Sequence, residues 1–305
     1  MLQRFENFKK SLKKISQMKK KNKLFGMNKF SDLSENEFSL LKGGLKLDGF
    51  GNGTLSIQED TRFFSRHSAH HKRHPLRFPN NYDIRETNCT TPVRDQMNCG
   101  ACWAFSVIAV TEINHCLKTG ELYYLSEQEL ISCTVSELTS PYVSNGCDGG
   151  NPYVGIDYIE YKSDSMAYDF PYVGDENERH MPECRQDGGR FPVDIRRFTR
   201  GSQRKIKEED LPAYIYKYGA YSAAIANKPL QYLEYSGGII TEEDLETAPD
   251  GPLDHAVTVV GYGEEDGIKY WILRNSWGDD WGEYGYFRLE REKELLGFTV
   301  YDYTY

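Results

Sequence analysis

Cys102 stands at the head of the run Cys-Trp-Ala-Phe-Ser-Val-Ile-Ala-Val-Thr-Glu-Ile-Asn-His-Cys-Leu-Lys-Thr, whose spacing predicts one helix from Cys102 to Thr119, stopped by Gly120. A thiol at that position meets the unpaired N–H groups and the positive end of the helix dipole, and both favour a thiolate. An imidazolium beside it can lower a thiol pKa to roughly 3–4. The chemistry this permits is nucleophilic attack on a carbonyl carbon, with a histidine moving the proton. Of the seven histidines, His67, His70, His71 and His74 fall in one basic stretch. His115 lies thirteen residues along the same helix, roughly 20 Å from its start at ~1.5 Å of rise per residue. His180 sits in the polar run Glu-Asn-Glu-Arg-His-Met-Pro, and His255 in Leu-Asp-His-Ala-Val-Thr-Val-Val at the mouth of a strong strand. A lone histidine there is more often structural, but elimination makes His255 the best candidate partner.

Cysteine usage bears on the same thiol. The seven cysteines are Cys89, Cys99, Cys102, Cys116, Cys133, Cys147 and Cys184. An odd count leaves one unpaired if the rest are oxidised. Three bridges and one reactive thiol is the economical reading, and seven reduced thiols of a cytosolic enzyme is the alternative. Cys99-x-x-Cys102 is half of a zinc site without a second close pair, so no metal is expected. The pair would also suit a thioredoxin-like redox protein, but such a helix starts at the first cysteine and this one starts at the second.

The surrounding elements read as helices first and strands later. Residues 1–23 form a basic amphipathic pattern, with Phe5, Phe8, Leu12, Ile15 and Met18 near helical spacing. Ser34-Glu-Asn-Glu and Ser126-Glu-Gln-Glu each resemble a capped helix start. Residues 43–60 are Gly-rich and weakly patterned, and 62–78 read as a solvated, cleavable linker in preference to a metal-binding histidine tract. Residues 133–155 read as loop. From about 195 onward strand signals dominate, in Val257–Gly263, Lys269–Arg274 and Gly285–Leu289. Such an order suits an α+β architecture in two lobes.

Composition narrows the partners. The 305 residues are 39% apolar and 27% charged, ordinary for a globular protein. With no apolar run near eighteen residues, no membrane span is expected. The first residues lack the apolar middle of a signal peptide, and the expectation is that the chain has lost its true beginning. The net charge of −9 is unevenly spread: residues 1–78 carry 17 Lys and Arg against 7 Asp and Glu, and the remainder 20 against 39. A basic piece and an acidic body suit two parts of one chain that attract each other, and the acidic body argues against nucleic acid.

Four separated motifs occur in order: Gln96-Met-Asn-Cys-Gly-Ala-Cys102-Trp-Ala-Phe-Ser, Gly146-Cys-Asp-Gly-Gly150, Asp254-His255-Ala256 and Arg274-Asn275-Ser-Trp277-Gly. From about Pro79 to Tyr305 the chain resembles the papain family of cysteine proteases. The resemblance implies a papain-like two-lobed fold, with a helical left lobe, a β-barrel-like right lobe and the active-site cleft between them. It implies that Cys102 is the nucleophile and His255 the general base and then acid, oriented by Asn275. The Gln96 side chain and the Cys102 backbone N–H would form the oxyanion hole. Trp277 would cover the Asn–His hydrogen bond, and Gly149 and Gly150 would line the cleft where a substrate backbone approaches. Asn151, Pro152, Ala224, Ala256 and the stretch Phe298–Tyr301 would shape the pocket for the second residue before the scissile bond. The small Ala224 and Ala256 favour an apolar side chain there. By the same resemblance Cys99 pairs with Cys147 and Cys133 with Cys184; Cys89 and Cys116 are left over and are paired by arithmetic. The long loop at Ser136–Ser144 is expected to border the non-primed end of the cleft.

Upstream, Gly26-x-Asn28-x-Phe30-x-Asp32, with Arg4, Phe8 and Ile15, is similar to the inhibitory pro-regions of this family, although Ser11 and Lys19 stand where asparagines are usual. The expected organisation is a truncated inhibitory pro-segment at 1–42, a linker and activation segment at 43–78 and a catalytic domain at 79–305. The helical lobe would span about 87–195 and the β lobe about 79–86 plus 196–305. The expected function is a cysteine endopeptidase made as a zymogen and activated at acidic pH. Its partners would be protein and peptide substrates, its own pro-segment as inhibitor, and cystatin-type inhibitors. It would act as a monomer, without cofactor, nucleic acid or membrane, in a lysosomal or secreted setting. Asn52-Gly-Thr and Asn88-Cys-Thr are then glycosylation sequons.

Overall fold

The computed structural model of the chain describes residues 2–18, 25–34, 44–47, 54–55, 78–135, 144–162, 166–174, 182–184, 205–232, 234–246 and 250–301. The basic first part contributes α1 (Leu2–Met18) and the short strand β1 (Thr54–Leu55). After β2 (Tyr82–Asp83) come three helices, α2 (Cys102–Thr119), α3 (Glu127–Cys133) and α4 (Pro152–Lys162). Next are β3 (Lys205–Ile206), α5 (Leu211–Tyr218), β4 (Tyr221–Ala226), α6 (Asn227–Tyr232), β5 (Ile239–Ile240) and α7 (Glu242–Leu245). The strands β6 (Leu253–Glu265), β7 (Ile268–Arg274), β8 (Tyr286–Glu290) and β9 (Thr299–Tyr301) complete the order.

α2 is the partition between two lobes. Every residue from Cys102 to Cys116 is buried, which a helix covered on one face cannot achieve. Trp103, Val107 and Ile108 join a helical core with Leu125, Leu130, Tyr153 and Ile156. Val110 and Ile113 join the sheet core of Val257, Val259, Trp271, Leu273 and Phe287. Burial of each such side chain contributes about 1.5–3 kcal/mol, so two cores clamp one helix. Its end is set by Gly120, whose N–H donates to Cys116 O at 2.7 Å. α3 starts where Ser126 Oγ accepts from Glu129 N–H at 3.0 Å.

The sheet runs β1-β3-β9-β4-β6-β7-β8-β5, with β2 also paired to β6. β4, β6, β7 and β8 are successively antiparallel, with Ile225 opposite His255 and Thr258 opposite Arg274. β9 pairs Thr299 with Ala224, which brings the C-terminal stretch beside the cleft. Among the described residues no helix is long and apolar enough to cross a membrane.

The structure departs from the sequence reading in several places. Residues 133–155 read as loop, yet α4 opens at Pro152. Proline suits a first helical position, where its missing N–H has no intrahelical partner to lose, and Val154, Ile156 and Ile159 of the helix are buried. The region after 195 is interrupted by α5, α6 and α7. β4, Tyr-Ser-Ala-Ala-Ile-Ala, is weak by propensity and forms because β6 and β9 flank it and every residue is buried. His255 is the third residue of β6. The expected linker at 43–78 is not all linker: Gly44–Leu47 enters the cleft and β1 pairs with β3. Asn52, the linker histidines, His180, residues 136–143 and the helix expected after Ser34 lie outside the described residues.

Candidate active site

Cys102 opens α2 and meets β6 across the junction of the lobes. The backbone N–H of Ala256 donates to Cys102 Sγ at 3.3 Å. His255, one residue earlier on the strand, is fully buried, and its Nε2 is 2.8 Å from Asn275 Oδ1. An amide oxygen accepts, so Nε2 carries the proton in this pair. Asn275 directly follows β7; its Oδ1 also accepts from Ser276 N–H at 2.9 Å, and its own N–H donates to Gly285 O at 3.0 Å. Trp277 stacks on the His255 ring, with centroids 5.1 Å apart and planes 28° apart, and shields it from water. His115 is far along α2, held by Thr119 and beside the Tyr123 ring.

Gln96 lies in the loop before α2 and is buried. Its N–H donates to Ser276 O at 2.8 Å, Ser276 Oγ donates to its Oε1 at 2.5 Å, and its Nε2 donates to Cys99 O at 2.8 Å. The loop is tied down by the Cys99–Cys147 disulfide and by Gly100 N–H on Cys147 O at 2.8 Å. Cys133 is bonded to Cys184 and Cys89 to Cys116, and Cys102 takes part in no disulfide. Behind the loop, Arg94 Nη2 donates to Glu112 on α2 at 2.7 Å, and Arg94 also reaches Glu127 on α3 at 2.9 Å. Burial pushes the Glu127 carboxyl up to about 7, against the opposing pull of Arg94.

The chain itself occupies the cleft. Leu45 N–H donates to Asp254 O at 2.9 Å, Lys46 N–H to Gly150 O at 2.9 Å, and Gly150 N–H to Gly44 O at 2.8 Å. Leu45 therefore pairs with Gly150 in parallel sense. The Leu45 side chain packs with Cys102, Ala224 and Ala256, flanked by Leu253. Gly44 has φ +81, and a Cβ there would sit 2.0 Å from Gly100 O. Only glycine passes at that point. Gly149 lies against Gly44, and Asn151 and Pro152 follow Gly150 at the start of α4. With this lid in place Cys102 is fully buried, and burial pushes its thiol up to about 12 in spite of the Ala256 N–H, with the charge of Asp254 adding to the rise.

Upstream residues dock on the sheet lobe. Phe25 bridges to Tyr235, and Gly26 N–H donates to Glu234 O at 3.2 Å. Ser31 Oγ donates to the buried Glu234 Oε2 at 2.6 Å. Lys29 Nζ is 2.5 Å from Asp95 and 3.2 Å from Asp280. The Phe30 ring meets Trp277 edge-on at 5.4 Å, so the segment presses on the indole that covers His255. α1 is joined to this segment through Arg4 and Asp32, 3.1 Å apart.

Sequence reasoning overlooked three participants. Leu45 was hidden in a Gly-rich stretch with no periodicity. Ser276 lies inside the Arg274–Gly278 motif, and its place beside Asn275 at a strand end is the signal that marks it. Tyr172, whose hydroxyl donates to Gln96 O at 2.6 Å, carries no local signal. Among the described residues no group of three His, Cys, Asp or Glu side chains could hold a metal ion.

A thiol, an imidazole and two carboxamides gathered between a helical and a sheet lobe, under a strand of the same chain, define a thiol peptidase held in precursor form. Residues 78–302 match the Papain family cysteine protease family, and residues 1–38 match the Cathepsin propeptide inhibitor domain (I29). The chain belongs to the papain family of cysteine proteases and is a zymogen of a cysteine endopeptidase. It is 35% identical to cathepsin 7 of Rattus norvegicus over 272 residues, covering 88% of this chain and 75% of that protein. It is 34% identical to chymopapain of Carica papaya over 296 residues, covering 95% and 75%. Among solved structures it is similar to the recombinant stem bromelain precursor, with TM-score 0.76 and 27% identity over 99% of this chain and 91% of that one.

Proposed function

We propose that Cys102 and His255 work as a thiolate–imidazolium pair once residues 44–47 have left the cleft. The observation that carries this reading is the hydrogen bond of His255 Nε2 to Asn275 together with the Ala256 N–H on Cys102 Sγ. With Nε2 held, Nδ1 is the nitrogen that exchanges a proton with the thiol. The thiolate attacks the scissile carbonyl carbon, and the oxyanion takes N–H bonds from Cys102 and Gln96. A carboxamide has two N–H groups, so Gln96 can serve the oxyanion while keeping its bond to Cys99 O. The imidazolium protonates the leaving amine, giving a thioester; His255 then takes a proton from water as it attacks, and the thiolate leaves with the acid product.

Cys102→Ala is expected to reduce peptide hydrolysis below about a thousandth of wild type with the fold intact by circular dichroism, in line with losses seen for nucleophiles. A larger residual activity would reassign the nucleophile. The packing of Leu45 against Ala224 and Ala256 favours an apolar residue second before the scissile bond. Activation is assigned to acidic pH, with the basic pro-segment released from an acidic body and cleavage near Arg77. Three disulfides favour an oxidising compartment, which supports a lysosomal or secreted monomer open to cystatin-type inhibitors. Asn88 is exposed, and it is the sequon within the described residues that a glycan could reach.

A further inference from the structure

The oxyanion loop contains a strained turn whose holder lies on a separate loop. Met97, directly after Gln96, has φ +51, a left-handed conformation that is strained for a residue bearing a side chain. Its orientation decides where the Gln96–Met97 peptide points and hence where the Gln96 amide sits. Met97 N–H donates to Asp95 Oδ1 at 2.8 Å on one side of the turn. On the other, the Gln96 carbonyl accepts from Tyr172 at 2.6 Å and from Cys99 N–H at 3.3 Å. The Tyr172 ring meets Phe105 edge-on at 4.9 Å and 87°, and Phe105 lies one turn into α2 from Cys102. One side chain therefore touches both the helix that carries the nucleophile and the loop that carries the carboxamide.

The loop bearing Tyr172 is itself fixed. Ser126 Oγ donates to Phe170 O at 2.6 Å, and Val173 N–H donates to Gln128 Oε1 at 3.1 Å. Gly174 has φ +57, and a Cβ there would lie 2.5 Å from Met97 Sδ. The left-handed φ favours glycine at 174, and the Met97 side chain lies beside it.

We infer that Tyr172 is a positioning residue for the oxyanion hole, its hydroxyl holding the left-handed turn that aims the Gln96 amide at the reacting carbonyl. The inference rests on the role proposed above for Gln96, so the two are tested side by side. Tyr172→Phe and Gln96→Ala are made in the full chain, processed with a trace of wild-type enzyme, and normalised by titrating the active thiol. Tyr172→Phe is expected to lower kcat for an amide substrate about tenfold with KM within twofold, since a donor is misplaced and not removed. Gln96→Ala should lower kcat about a hundredfold. Alkylation of Cys102 by iodoacetamide, which forms no oxyanion, should keep its rate and pH profile within twofold in both. If Gln96→Ala keeps its kcat, the oxyanion assignment fails. If Gln96→Ala loses it and Tyr172→Phe does not, positioning by Tyr172 fails; so too if Tyr172→Phe slows alkylation as much as hydrolysis, which would mark a general structural role.

Discussion

Gly44–Leu47 and Phe25–Asp32 both hold the basic first part against the catalytic body by backbone and apolar contacts, and the second adds ion pairs through Lys29. The first lies in the cleft on backbone hydrogen bonds to Gly150 and Asp254, with Leu45 against Cys102, Ala224 and Ala256. The second docks on the sheet lobe through Lys29 with Asp95 and Asp280, Ser31 with Glu234, and Phe30 with Trp277. Backbone bonds and apolar packing respond weakly to pH and salt, whereas exposed ion pairs are screened and lose strength when a carboxylate gains a proton. The cleft strand is thus a plug and the docked segment an anchor. The plug decides whether the thiol is reachable, and the anchor decides under what conditions the plug stays.

The largest expected effect tests the plug. Burial pushes the Cys102 thiol up to about 12, so in the closed form the thiolate is scarce at pH 7. The sign is plain: burial makes the reactive form scarcer at every pH below 12. Iodoacetamide should therefore alkylate Cys102 at least ~10³-fold more slowly in the zymogen than in the activated enzyme, opening of the plug setting the residual rate. A ratio under tenfold would mean that Leu45 does not cover the sulfur in solution.

Gly44 comes second. Alanine there would combine left-handed strain with a Cβ 2.0 Å from Gly100 O, at least ~2 kcal/mol against the closed form, or about thirtyfold more opening. Gly44→Ala should raise the zymogen's alkylation rate by that factor and leave the activated enzyme unchanged. An unchanged zymogen rate would show that the strand passes the cleft by another path.

Some of this was readable from the chain alone, and the reason differs by region. α2 was legible because an unbroken apolar run lay between a cysteine and a glycine, and Ser126 announced α3 through its cap. β6 to β8 were legible because β-branched and aromatic residues clustered between turn residues. Cys102 and His255 could be singled out because only three histidines lay beyond the basic stretch, and the four ordered motifs then named the family. β4 and α4 were not legible: alanines hide a strand that forms by being sandwiched between neighbours, and Pro152 looks like a breaker. The plug was invisible for a deeper reason. Gly44 and Leu45 obtain their conformation from Gly100, Gly150 and Asp254, residues far away in sequence, and a Gly-rich stretch has no pattern of its own. Tyr172 is of the same kind, a single hydrogen bond made across loops.

The smallest expected effect belongs to the anchor, and it decides whether the comparison holds. Residues 1–78 carry 17 basic and 7 acidic side chains, and the remainder 20 and 39, so docking gains long-range attraction that physiological salt screens beyond roughly 8–10 Å. Toward pH 4 many of the 39 carboxylates take up protons. The four linker histidines become charged over the same range, but they then face a partner losing its negative charge, and the carboxylates outnumber them. The attraction therefore falls as pH falls. Lys29 is the local reporter, partly exposed between Asp95 and Asp280. A pair of that kind contributes about 0–1 kcal/mol, so Lys29→Met should speed zymogen alkylation at pH 7 and low salt by about two- to fivefold. At high salt wild type and Lys29→Met should converge, because the interaction removed by mutation is already screened. The Gly44→Ala increment should stay the same from low to high salt, since a steric clash has no charge to screen. If the Lys29→Met effect persists at high salt, the anchor is not electrostatic. If the Gly44→Ala increment shrinks with it, plug and anchor open as one unit, and the division between them is wrong.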